Sequence, residues 1–125
     1  MTATSLILAI AGVSVLFVPD ILLSLVNTSI NAQLSALVQL IGALYFGFAI
    51  MNWTARESAI GGIYARPVSL GNFAHFFAGS LLLLRYQFSN PFNLFIMILS
   101  IIYAIFAILF YWLVFRATGL NDSGK

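Results

Sequence analysis

Asn52 and Arg56 lie four residues apart, and Asn72 and His75 three apart. Either spacing puts both side chains on one face of a helix. Glu57 and Arg66 stand between the two pairs, flanking Gly61-Gly62, and can pair across that turn. If the helices on either side are antiparallel neighbours, Asn52 and Arg56 face Asn72 and His75 near one end of both. Guanidinium, amide and imidazole groups gathered there would suit a small anionic or amphipathic molecule. Gln39, a lone amide in the preceding apolar run, completes the set of candidate ligand-binding or buried polar residues.

Each residue also has a structural reading. Arg56 and Arg66 are charges of the kind that anchor helix ends, and Glu57 is their natural salt-bridge partner. Gly61-Gly62 and Pro67 punctuate a loop. Gln39 can hydrogen-bond a neighbouring helix. His75 is the best functional candidate, because it sits some two turns into an apolar helix, where ionisable groups are costly and often functional. A histidine there with Asn72 beside it can equally bond to an adjacent helix.

Several chemistries are excluded or incomplete. The chain has one histidine, no cysteine and three carboxylates, Asp20, Glu57 and Asp122. A zinc centre needs three or four ligands, so no metal is expected. A hydrolytic site would need Ser69 or Ser80 beside His75 and an acid, and Ser80 lies five residues on, off that face. No glycine-rich nucleotide loop, Walker sequence or HExxH pattern occurs. No cofactor is expected, and the reading leans away from an enzyme.

Composition defines what must position these residues. Of 125 residues, 62% are hydrophobic and 6% charged, with a mean hydropathy of +1.08. Eight charges cannot cover the surface of a water-soluble domain of this length. The formal charge of +2 is spread over scattered basic residues, which form no phosphate-binding patch, so nucleic acid is not a partner. The expected fold is all-α: a polytopic membrane protein, a four-helix transmembrane bundle in a single domain over 1–125.

The spans read from the chain are about 4–18 or 4–26, 33–55, 68–88 and 91–115, with a flexible tail over 117–125. The first apolar run lacks the basic start and cleavage site of a signal peptide and reads as a retained helix. Pro19 poses two alternatives. The helix kinks there and continues to Val26, or it stops near Val18 and a short amphipathic helix starts at Pro19-Asp20. Proline suits a first helical turn and disfavours helix in the residue before it, which favours the second alternative, with Ile21 to Val26 lying at the interface. Asn31 can cap the second span, whose Ala43 and Gly47 form a small step for close helix approach. Gly71 interrupts the third. Ser89 or Asn90 can cap the fourth, with Pro91 at its first position, Ser100 and Ala104 as its small step and Arg116 as its stop.

With four spans, Arg56, Arg66, Arg116 and Lys125 fall on the side of the termini and Arg85 alone on the other. That asymmetry places both termini in the cytoplasm. The layout, a first helix ending near a proline and then a glycine-containing second helix, resembles that of small bacterial four-helix membrane proteins. The resemblance implies the inner membrane and carries over no active residue. Besides the lipid bilayer, the expected partners are further copies of the chain or a larger membrane complex. A self-associating or accessory subunit is the first functional expectation. Binding or transport of a small anionic or amphipathic molecule at a mouth formed by Arg56, Arg66, Asn72 and His75 is the alternative.

Overall fold

The structure, a computed structural model, describes residues 1–25, 31–57 and 65–119, apart from the side chains of 65 and 116–119. All regular structure among them is helical, and it falls into two compact units, Met1–Arg56 and Glu57–Lys125.

The first unit contains α1 (Thr2–Phe17), α2 (Pro19–Leu25) and α3 (Ala32–Thr54). Asn31 caps α3: its side-chain oxygen accepts the Leu34 N–H at 2.7 Å, satisfying one of the donors a helix start leaves open. Proline pushes Val18 out of the helical region, to φ −133° and ψ 51°. The Val18 N–H still closes on the Ser14 carbonyl at 2.9 Å, and α2 departs at 99° to α1. The helix therefore breaks at Pro19 into two helices, and Val26 lies outside the described residues.

Helices α1 and α3 pack lengthwise and antiparallel, as three contacts along the seam establish. The Ser5 hydroxyl donates to the Ala49 carbonyl at 2.9 Å. Gly12 lies against Gly42 with their backbones touching. The Gln39 amide donates to the Leu16 carbonyl at 3.2 Å. Helix α1 buries Thr4, Ser5, Leu8 and Gly12, and α3 buries Gly42, Ala49 and Asn52. The close approach thus uses Gly42. Ala43 is exposed, and a Cβ on Gly47 would meet nothing within 4 Å among the described residues.

The second unit pairs α4 (Ala65–Ser89) with α5 (Leu94–Gly119). Helix α4 starts before Pro67, since a proline in a first turn removes an N–H that has no helical partner anyway. It also runs unbroken through Gly71. At its end, the Asn90 amide turns back to donate to the Tyr86 carbonyl at 3.0 Å. The cap of α5 is Asn93, whose oxygen accepts from Phe95 N–H at 2.9 Å and Ile96 N–H at 3.2 Å. Ser89, Asn90 and Pro91 therefore precede α5. Helix α5 continues past Arg116 to Gly119, so 117–119 belong to it and not to the tail, while 120–125 lie outside the described residues.

The α4–α5 pair is antiparallel, with Gly79 against Tyr103, Phe76 against Phe106 and Phe73 against Tyr111. Helix α5 buries Ile96, Ser100, Tyr103, Ala107, Phe110 and Val114, an alternation of four- and three-residue steps that keeps one line facing the partner helix. Helix α4 answers with Ser69, Asn72, Phe76 and Ser80. The small residues that α5 brings to this seam are Ser100 and Ala107, on either side of Tyr103. Ala104 is only half-buried.

Both units are inverted relative to a water-soluble fold. Serine, threonine, asparagine and glycine line the seams, while Leu40, Leu82, Ile108 and Phe17 are 64–79% exposed. Apolar side chains face outward when the solvent is hydrocarbon, and small or polar ones let helix backbones approach. Ala32–Thr54, Arg66–Ser89 and Leu94–Phe115 are each long and apolar enough to cross a bilayer, with mean hydropathies of 1.9, 1.4 and 2.7. The bent α1–α2 pair makes a fourth span if it counts as one.

Candidate functional site

The candidate residues divide between the two units. In the first, Asn52 sits in the last turn of α3, fully buried, with its amide donating to the Phe48 carbonyl at 2.9 Å. An asparagine amide has two donor hydrogens and an acceptor oxygen, so this bond uses only part of its capacity. Arg56 lies just beyond the helix end, half-buried. Its guanidinium rests 3.8 Å from the centroid of the Trp53 ring and donates to the Trp53 carbonyl at 3.4 Å. A cation over an indole face is attracted by the ring's quadrupole, which holds Arg56 against its own helix. Gln39 stands at the other end of α3, exposed, on the Leu16 carbonyl. That carbonyl would ordinarily take a hydrogen from residue 20, and the bend at Pro19 carries that residue away. Gln39 thus completes a broken helix, far from Asn52 along α3.

In the second unit, Glu57 is exposed at the start and Arg66 is exposed in the first turn of α4. Gly61-Gly62, across which the two were expected to pair, lie outside the described residues. Asn72 is fully buried and donates to the Val68 carbonyl at 2.8 Å, the same back-bond that Asn52 makes. Buried Ser69 lies one turn before it.

His75 meets Tyr103. Its Nε2 lies 3.5 Å from the tyrosine hydroxyl, and the ring centroids are 5.6 Å apart. Either group can donate, depending on the imidazole tautomer. The pair is held from below: the Tyr103 ring fills the space over Gly79, and Phe76 packs edge-on against both His75, at 5.1 Å, and Tyr103, at 5.2 Å. Phe106 and Phe110 stack on Phe76. Tyr103 and Gly79 stand beside His75 and are residues that spacing did not single out. The only signal is the place of Tyr103 in the buried line of α5, which emerges once α4 is known to lie beside it.

Among the described residues, no three potential metal ligands gather. The Ser80 hydroxyl donates to the Phe77 carbonyl at 2.8 Å, on the backbone and not on His75. A serine nucleophile needs its base at hydrogen-bond distance.

No protein-family model, curated protein or solved structure matches the chain. Fold and composition define the class by themselves: this is a small, all-helical, membrane-spanning protein, integral to the lipid bilayer.

Proposed function

We propose that the protein is a four-span membrane subunit that acts by assembly, with further copies of itself or within a larger membrane complex. Gly47 carries this reading. Gly12, Gly42 and Gly79 each make room for a neighbouring backbone or ring, whereas a Cβ on Gly47 would meet nothing within 4 Å among the described residues. Ala43, one turn earlier, is exposed, and Leu40, Leu44 and Ile50 surround the step with exposed apolar surface. Small residues on an outward face let a second helix come close enough for backbone contact. The charge asymmetry supports an orientation with both termini and the central loop in the cytoplasm, and the resemblance in layout supports the bacterial inner membrane.

The chain has no cysteine, so a Gly47→Cys variant carries a single thiol. Oxidation in native membranes is expected to give a disulfide dimer, and a heavier adduct with a heterobifunctional linker if the neighbour is another protein. Uncrosslinked monomer throughout, together with one monomeric mass across protein concentrations in mild detergent, would sink the reading.

A second reading, binding of a small anionic or amphipathic molecule, rests on α4. Arg66 is exposed at its start, buried Ser69 and Asn72 follow within two turns, and His75 comes next with Tyr103. Titration with a fluorescent fatty acid in nanodiscs tests it. Arg66→Gln and His75→Gln should each weaken binding, and wild-type affinity in both rules it out.

A further inference from the structure

The geometry points to α2 as an in-plane segment: we infer that Pro19–Leu25 lies in the headgroup and upper acyl layer of the leaflet at the Asn31 end of α3, with the bilayer interface as its partner. The inference rests on the four-span reading, in which α1 crosses the membrane beside α3.

Direction comes first. Helix α1 packs lengthwise on α3, a span, and its 16 residues, about 24 Å of helix, run alongside that span in the bilayer. A helix that leaves α1 at 99° runs roughly parallel to the membrane plane.

Depth comes second. The pairs Ser5–Ala49, Gly12–Gly42 and Leu16–Gln39 set the antiparallel register, which brings Phe17 level with the neighbourhood of Leu37. At the rise of an α-helix, that level is about 8 Å inside the first residue of α3. In-plane amphipathic helices sit about 5–10 Å into the headgroup and acyl boundary. The capped Asn31 end of α3, by contrast, is polar enough for water.

The division of the surface comes third. Pro19 and Leu23 are buried against the rest of the unit. Asp20 and Ser24 are exposed on one outward face, and Ser24 turns its hydroxyl to the Ile21 carbonyl at 2.6 Å. Ile21 and Leu25 are exposed on another, about 100° around the helix. Phe17 and Val18, at the junction of α1 and α2, are exposed apolar residues as well. A helix aligned with the membrane normal would give both faces the same surroundings. One lying in the plane gives the carboxylate water and the leucine hydrocarbon, which removes the cost of a charge at depth.

Single-thiol variants of the cysteine-free chain, in phosphatidylcholine–phosphatidylglycerol vesicles, test this directly. Asp20→Cys and Ser24→Cys should react with a membrane-impermeant maleimide about ten-fold faster than Ile21→Cys and Leu25→Cys, because a thiol held from water ionises less readily. A fluorophore at 21 or 25 should be quenched more by shallow than by deep doxyl-labelled lipid, with Leu44→Cys as the mid-span reference. If all four sites are protected and quenched best by the deep label, α2 is part of a broken or re-entrant span and the inference fails. Equal reaction at all four sites with no quenching places α2 in water and also overturns it. Thr2→Cys, at the exposed start of α1, separates the two readings. Labelling of Thr2→Cys from the same side as Asp20→Cys, with the depth pattern intact, overturns the four-span reading while the depth of α2 stands.

Discussion

Gly12 and Gly42 meet backbone to backbone where α1 lies on α3. A Cβ on Gly12 would fall 2.9 Å from the Gly42 carbonyl oxygen, and one on Gly42 would fall 3.0 Å from that of Gly12. The amide nitrogens of Phe46 and Leu16 stand closer still, at 2.8 Å from the respective Cβ positions. The obstacles are main-chain atoms, so no change of rotamer relieves them.

Gly12→Ala and Gly42→Ala should therefore force the helices apart and cost about 1–3 kcal/mol each. Gly47→Ala should leave the fold unharmed, or stabilise it by up to about 1 kcal/mol through helix propensity. Denaturation in mixed micelles followed by tryptophan fluorescence measures all three. Equal effects at positions 42 and 47 would contradict the assignment of the seam.

Ser5 and Gln39 make two polar bonds between α1 and α3. Ser5→Ala should cost about 0.6 kcal/mol, and no more than about 1.7, the range for such bonds inside membranes. Gln39→Leu should expose its effect at one atom: isotope-edited infrared spectroscopy of the Leu16 carbonyl should show a shift to higher frequency as its donor is lost. A carbonyl band unchanged by Gln39→Leu would mean that water or another donor already serves that oxygen.

Asn31 and Asn93 begin their helices in the same way. Replacing either by alanine should cost about 1 kcal/mol, with serine recovering most of it. Amide hydrogen exchange should quicken at Leu34 in the first variant and at Phe95 and Ile96 in the second. Asn90→Ala should leave those two amides protected, because Asn90 serves the end of α4.

Tyr103→Phe keeps the ring over Gly79 and removes only the hydroxyl facing His75. Its cost should be about 1 kcal/mol or less, while the nitrogen resonances of the His75 ring move. Gly79→Ala acts from the other side. Its Cβ would come 2.5 and 2.6 Å from two Tyr103 ring carbons, so the ring must swing away and both stability and the His75 signature should change. An unperturbed His75 spectrum in Tyr103→Phe would show that the hydroxyl is not its partner.

Local chemistry was legible along the chain. The apolar runs, the proline at position 19, the polar cap at Asn31 and the scarcity of charge each act within a few residues of themselves. They announce helices, a break and a lipid environment without reference to tertiary contacts. The ends of α4 and α5 were harder to place because Ser89, Asn90 and Asn93 are all competent caps. Only the direction each side chain takes separates Asn90, serving the helix behind it, from Asn93, serving the one ahead.

Helix rotation was not legible. Helices apolar nearly all the way round give hydrophobicity no way to mark the inward side, so spacing alone pointed to the Ala43–Gly47 step as the close approach. Backbone contact with Gly12, 30 residues away in the chain, decides for Gly42. The same holds for His75, whose partner Tyr103 lies 28 residues on and reaches it only because Gly79 leaves space for the ring. The sequence by itself determined an all-helical, lipid-embedded chain and where its helices can start and stop, because those follow from solvation and short-range bonding. Tertiary structure alone decided which small residue is a contact and which is open surface, because close packing depends on what stands opposite.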